Sequence, residues 1–168
     1  DRITLRQGDG TDILQAGEVE TVVIAGMGGG AIRGIMQRAK AKGLVFAQLV
    51  AQPMTDAGVL REWLVDNGWK IAKEDIIKEE NRLYEVISAI PGSEESQDRT
   101  ITLLGPRLFE QRHPLMAELL KFQIKKNREI ISNMEHSSTI ETQARKKEFL
   151  EKTKNLELIM ECLSNVRR

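Results

Sequence analysis

Thr21-Val22-Val23-Ile24-Ala25-Gly26-Met27-Gly28-Gly29-Gly30 is the stretch whose reading decides the fold. Its first five residues are nearly all apolar and β-branched at the centre. That is the composition of a strand buried on both faces of a parallel sheet. Glycines follow without a spacer. Residues 31–42 then carry Ile32, Ile35, Met36 and Ala39 at helical spacing. A strand that runs through a tight turn into a helix is the building unit of an open α/β sheet.

The same alternation continues on the C-terminal side. Gly43 ends the helix, and Leu44 to Val50 reads as a second strand closing on Gln52-Pro53. Thr55 or Asp56 is placed to cap a helix that runs to about Asp66, with Val59, Leu60, Trp63 and Leu64 on one face. Asn67-Gly68 stops it. Trp69 to Glu79 and Leu83 to Ile90 flank a short turn at Asn81 or Arg82, so they are expected to pair antiparallel. On the N-terminal side, Ile3-Thr4-Leu5-Arg6 alternates like a strand and Gly8-Asp9-Gly10 turns the chain. Trp63, Trp69 and Tyr84 fall at pattern positions and read as packing residues.

Beyond Gly105-Pro106 the pattern becomes helical. Leu115, Leu119, Phe122, Ile130 and Met134 mark one helix, and His136-Ser137-Ser138-Thr139 breaks it. Phe149, Thr153, Leu156, Met160 and Leu163 then recur at alternating spacings of four and three, the seam of a two-helix coiled coil. Residues 113–135 and 138–166 are therefore expected to form an antiparallel hairpin. The expected division is an α/β domain over 1–104 and a helical coiled-coil hairpin over 105–168.

Net charge is zero, but residues 1–104 hold 12 Lys and Arg against 16 Asp and Glu, whereas residues 105–168 hold 13 against 9. The basic half is the place to expect a polyanion, although both halves also fit ordinary solvated helix faces. No apolar run approaches the roughly 20 residues that span a bilayer. The lone Cys162 reads as a small buried hydrophobe and fits a reducing cytoplasm. No Cys/His cluster suits zinc. His113 and His136 lie in the helical region, away from the strand ends, and nothing makes a nucleophile-and-base set.

Ligands of open α/β sheets sit at the carboxyl ends of the strands. Three such ends carry unusual residues: Gly8-Asp9-Gly10, Gly26 to Gly30, and Gln52-Pro53-Met54. Asp9 can accept hydrogen bonds from a ligand amino group or from its own turn. The glycines let backbone N–H groups approach a ligand closely, or simply make a tight strand-to-helix turn. They lack the downstream Lys-Ser/Thr pair of a phosphate-binding loop. Met27 offers a flexible apolar wall for a flat ligand, or a plug for the core. Gln52 offers an amide to a base edge, or a cap to the adjacent loop.

Taken together, Gly8-Asp9-Gly10, VVIAGMGGGAI at 22–32, AQPMTDAGVLREWLVDNGWKI at 51–71 and EDIIKEENRLYEVISA at 74–89 resemble the bacterial tRNA (adenine-22-N1)-methyltransferases. The resemblance covers residues 1–90 closely and the helical hairpin in general character. It implies a class I, Rossmann-like S-adenosylmethionine methyltransferase sheet with a C-terminal coiled-coil hairpin, working in the cytoplasm on N1 of an adenine in tRNA. It implies cofactor contacts at Asp9, Gly10, Gly26, Met27, Gly28 and Gly29, and substrate contacts at Gln52 and Pro53. The basic residues Lys125, Lys126, Arg145, Lys146 and Lys147 are expected to hold tRNA phosphates. No catalytic residue and no metal are implied, and the oligomeric state is open.

The family's first two strands, with the motif that cradles the cofactor's methionine and ribose, are expected ahead of Asp1. Without them the chain is expected to leave a sheet edge exposed, to bind cofactor poorly and not to catalyse alone. The alternatives are a non-catalytic methyltransferase-like module for RNA binding or assembly, and a different nucleotide-using α/β enzyme with phosphate affinity.

Overall fold

The computed structural model describes residues 3–94, 98–134 and 139–165. The readings made on His136 and on the Cys162 side chain lie outside the described residues. The chain divides into two compact units, Asp1–His113 and Pro114–Arg168.

The first unit opens its sheet with β1 (Thr21–Gly28) and crosses over through α1 (Gly29–Ala41) to β2 (Gln48–Thr55). Helix α2 (Ala57–Asp66) leads to the hairpin of β3 (Trp69–Glu79) and β4 (Arg82–Pro91), and the short helices α3 (Arg99–Leu104) and α4 (Pro106–Glu110) follow. The strand order is β1-β2-β4-β3, with β1 and β2 parallel and the other two pairs antiparallel. The α/β class read from the sequence is the architecture observed.

The register explains which residues make the core. Val22 stands opposite Leu49, Leu49 opposite Ala89 and Ala89 opposite Ile71, one row across the sheet. All four are buried, and α1 and α2 cover them with Ile32, Met36, Leu60 and Leu64. Each Val, Leu, Ile or Met side chain among them contributes about 1.5–3 kcal/mol by leaving water. Trp63 and Trp69 pack against the same cluster, as expected.

Three expectations change. Thr21 to Ala25 is not buried on both faces: Val22 is buried, but its neighbour Val23 is 68% exposed. The helices that cover the sheet lie on the Val22 side, so the alternate residues Thr21, Val23 and Ala25 meet no cover among the described residues. Ile3 to Arg6 is not a strand. It pairs with no described strand, Ile3 and Leu5 are exposed, and Arg6 is held by an ion pair to Glu18. An alternating pattern makes a strand only where a neighbour takes its backbone hydrogen bonds. The second strand starts at Gln48 rather than Leu44, because Leu44 N–H still bonds the Ala39 carbonyl at the helix end.

A buried ion cluster ties the first unit together. Arg61, fully buried on α2, donates through Nε to Glu74 (2.6 Å), through Nη2 to Glu85 (2.7 Å) and through Nη1 to the Leu103 carbonyl (3.1 Å). Glu74 also accepts the Arg107 backbone N–H at 2.9 Å. Burial acts to lower the Arg61 pKa, but attraction from Glu85 and Glu74 outweighs it and leaves the guanidinium above its ordinary value. A β-bulge between Ile71 and Lys73 makes this possible. In a regular strand Ile71 and Lys73 share a face, whereas here Glu74 and Ile76 turn to the Ile71 side.

The second unit consists of α5 (Met116–Asn133) and α6 (Ile140–Asn165), which pack on each other. Arg128 of α5 meets Glu157 of α6 at 2.6 Å. Thr153 and Leu156, read as seam positions, are buried, with Phe149 and Met160 half-buried. Phe122 departs from its expected apolar position and is exposed.

Candidate functional site

The parallel pair β1 and β2 end side by side, so the glycine turn and the Gln52-Pro53 turn become neighbours. Ala25 pairs with Gln52, Met27 with Pro53 and Gly28 with Thr55, with irregular register around Met27. Two features create that irregularity. Pro53 has no N–H for the ladder, and Gly26 takes φ +75°, a left-handed conformation in which a side chain is strained.

Gln52 repairs the break. Its Oε1 accepts the Gly26 backbone N–H at 3.0 Å, across the two strand ends. Its Nε2 points to the Met54 sulfur at 3.6 Å. A thioether is a weak acceptor, so this amide donor is readily given to a better one. The Gln52 oxygen is thus engaged in holding the turn, and the nitrogen is what it presents to a ligand.

Met27 and Met54 are both exposed around this point. A Cβ at Gly26 or Gly30 would project into open space, whereas one at Gly29 would lie 2.3 Å from the Asp56 carbonyl oxygen. The start of α1 therefore rests directly on the loop after β2, and only glycine allows it. Gly29→Ala is expected to destabilise the first unit by about 1–3 kcal/mol through overpacking. Gly30→Ala, in open space within the helix, is expected to hold or raise stability by up to about 1 kcal/mol. Thermal denaturation of the two variants checks the contrast.

Asp56 occupies the residue before α2, where a capping aspartate was expected, but its side chain makes no capping bond. Its backbone is left-handed (φ 56°), which turns the carboxylate away from the helix N–H groups, and it accepts the Thr55 hydroxyl at 3.0 Å instead.

Asp9 and Gly10 lie apart from this pair of turns. The exposed Asp9 carboxylate pairs with Arg38 at 3.0 Å, and Gly10 abuts Ile35. Arg38 sits nine residues into α1 from Gly29, roughly 13 Å along the helix. The neighbouring Asp12 bonds Lys42, which with help from Arg38 holds its carboxyl below the usual range despite some desolvation. His113, read as a helix-start residue, places Nε2 2.8 Å from Asp75 and lies outside this site.

The basic residues fall in two places on the second unit. Lys125 and Lys126 lie on α5 beside Arg128, with Lys125 4.0 Å from Glu129. Arg145, Lys146 and Lys147 lie on α6 at least ten residues before Glu157, about 15 Å along that helix from the Arg128 ion pair. Arg145 and Lys152 both reach over the Phe149 ring. Among the described residues no cluster of His, Cys, Asp or Glu suits a metal, and no helix is long and apolar enough to cross a membrane.

The comparisons with known proteins fall on this same framework. The family model described as tRNA (adenine(22)-N(1))-methyltransferase, TrmK, matches residues 1–158. The protein of that name from Bacillus subtilis (strain 168) is 28% identical over 168 residues, covering 97% of this chain and 70% of the relative. The crystal structure of the B. subtilis m1A22 tRNA methyltransferase TrmK superposes with a TM-score of 0.78 at 26% identity, over 92% of this chain and 69% of that one. Streptococcus pneumoniae Sp1610, a putative tRNA (m1A22) methyltransferase in complex with S-adenosyl-L-methionine, shares the fold. Its TM-score is 0.74 at 22% identity, over 92% and 67% of the two chains. The family model matches well over half of the chain, and the chain belongs to the tRNA (adenine(22)-N(1))-methyltransferase family.

Proposed function

We propose that this chain serves methyl transfer from S-adenosylmethionine to N1 of an adenine in tRNA, at the position the family name gives. The observation that carries the reading is the junction of the two parallel strand ends. The Gln52–Gly26 hydrogen bond lies there inside the segment matched by the family model.

The residues present fit one side of a pocket for the cofactor and base. When bound, S-adenosylmethionine supplies an electrophilic methyl on a sulfonium. Adenine N1 is a nucleophile once freed from Watson–Crick pairing, so the protein's main task is alignment. We assign Gly26, Met27, Gly28 and Gly29 to the wall near the reacting centre, and Gln52 and Pro53 to the base. Gln52 Nε2 donates to an acceptor on the base edge while Oε1 fixes the turn. Asp9 and Gly10 are assigned to the cofactor's adenosine end. That assignment requires the 8–14 segment to lie closer to the strand ends than its Arg38 contact places it. The target base must be turned out of its stack to reach the site. Lys125, Lys126, Arg145, Lys146 and Lys147 hold phosphates, and a tRNA substrate implies work in the cytoplasm.

Calorimetry with S-adenosylhomocysteine tests the cofactor assignment. The expected result is binding by the protein expressed from its complete gene that does not change when Mg²⁺ is removed. No binding contradicts the assignment. Affinity for inorganic phosphate in its place favours the nucleotide-enzyme alternative.

A further inference from the structure

We propose that Phe122 is a stacking platform for an unpaired nucleobase of the bound RNA, flanked by Lys125 and Lys126 on its phosphates. The proposal rests on the tRNA reading above and adds to it a specific contact on the helical unit.

Phe122 is 57% exposed, although it is the only aromatic residue of α5. Met116, Leu119, Leu120 and Ile124 form the buried stripe of this helix. At 3.6 residues per turn, Phe122 lies roughly 140° around the helix from the centre of that stripe. It is therefore no extension of the packed face. Leaving the ring in water forgoes the roughly 1.5–3 kcal/mol that its burial would contribute. Its nearest neighbours one turn onward are Lys125 and Lys126, three and four residues along, the spacings that share a helix face. Lys121 precedes it, and both Lys121 and Lys126 are exposed.

An apolar protein surface seated on Phe122 would have to strip water from the exposed Lys121 and Lys126 without returning a charge, which is costly. An unpaired nucleotide satisfies both requirements. Its base presents a π face to the ring, and the phosphates on either side meet the ammonium groups. Such stacking tolerates any base, because every base has that face. A contact of this kind suits an RNA whose loops or opened pairs must be held while another base reacts.

The test uses the full chain and a fluorescein-labelled unmodified tRNA transcript, with anisotropy titrations over a range of salt. Phe122→Ala is expected to weaken binding about tenfold with the salt slope unchanged, since stacking carries no charge. Phe122→Trp is expected to match or exceed the parent. Phe122→Leu, apolar without a π face, is expected to behave like the alanine variant. K125A/K126A is expected to flatten the salt slope by about 1.4 to 1.8, as for two lost phosphate contacts. Circular dichroism checks that each variant keeps its helices.

Unchanged affinity of Phe122→Ala, or full affinity of Phe122→Leu, overturns the stacking contact and leaves the tRNA reading standing. Absence of any tRNA binding by the parent chain overturns both. A concentration-dependent self-association that Phe122→Ala abolishes, with RNA affinity unaltered, overturns the proposal in favour of a second copy of this chain on the same face.

Discussion

Arg61→Met is expected to cost about 3–5 kcal/mol of folding stability, because it leaves Glu74 and Glu85 facing each other with their shared counter-charge gone. Set against a typical total of about 5–15 kcal/mol, that loss brings the first unit close to unfolding. The size follows from geometry. Arg61 and Glu74 are fully buried and Glu85 nearly so, so water cannot replace the lost partner. The Leu103 carbonyl also loses its donor. The effect should reach the functional end of the sheet, since α2 begins directly after the β2 strand end. Urea denaturation followed by the fluorescence of Trp63 and Trp69, the only tryptophans, reads this unit alone. Neutralising the carboxylates in R61M/E74Q/E85Q should recover much of the loss. An Arg61→Met midpoint equal to the parent's would contradict the ion-cluster account.

Gln52→Ala is expected to reduce methyl transfer by about 100-fold while lowering stability by only about 1 kcal/mol. The stability term is one hydrogen bond, from Gly26 N–H to the Gln52 oxygen. The larger activity term arises because that bond fixes a left-handed glycine in an irregular strand end, and a displacement of about 1 Å at a reacting centre costs about that factor. Gln52→Glu separates the two roles of the side chain. It keeps an acceptor for Gly26 but removes the amide donor. Stability should return to the parent value, while loss of the donor to the base raises KM for tRNA. Steady-state kinetics beside thermal denaturation checks both. Full activity in both variants would remove Gln52 from the site.

Much of this was legible in the sequence because the signals were local. The β-branched run before Gly26 fixed β1, the apolar spacing from Ile32 to Ala39 fixed α1, and the two long runs about Asn81 fixed the hairpin. What escaped depended on partners distant in the chain. Arg61 reads as an outward position beside Leu60, and nothing local shows that Glu74 will turn inward, because the bulge after Ile71 reverses the alternation. Gln52 was legible as a candidate, but not that its oxygen is already engaged by Gly26. Ile3 to Arg6 has the pattern of a strand without a described neighbour to pair with, and Val23 has the composition of a buried residue without a helix above it. Asp56 has the right residue type for a cap, yet its left-handed backbone aims it elsewhere. Phe122 has the residue type of an apolar position, but its helical angle turns it away from the buried stripe of α5.

The most direct measurement is nucleoside analysis of an unmodified tRNA transcript after incubation with S-adenosylmethionine and the protein expressed from its complete gene. The account predicts 1-methyladenosine, formed only with the cofactor present and located by a primer-extension stop at adenine 22. Methylation at another atom or another nucleotide, or none under conditions where S-adenosylhomocysteine and tRNA both bind, would contradict it.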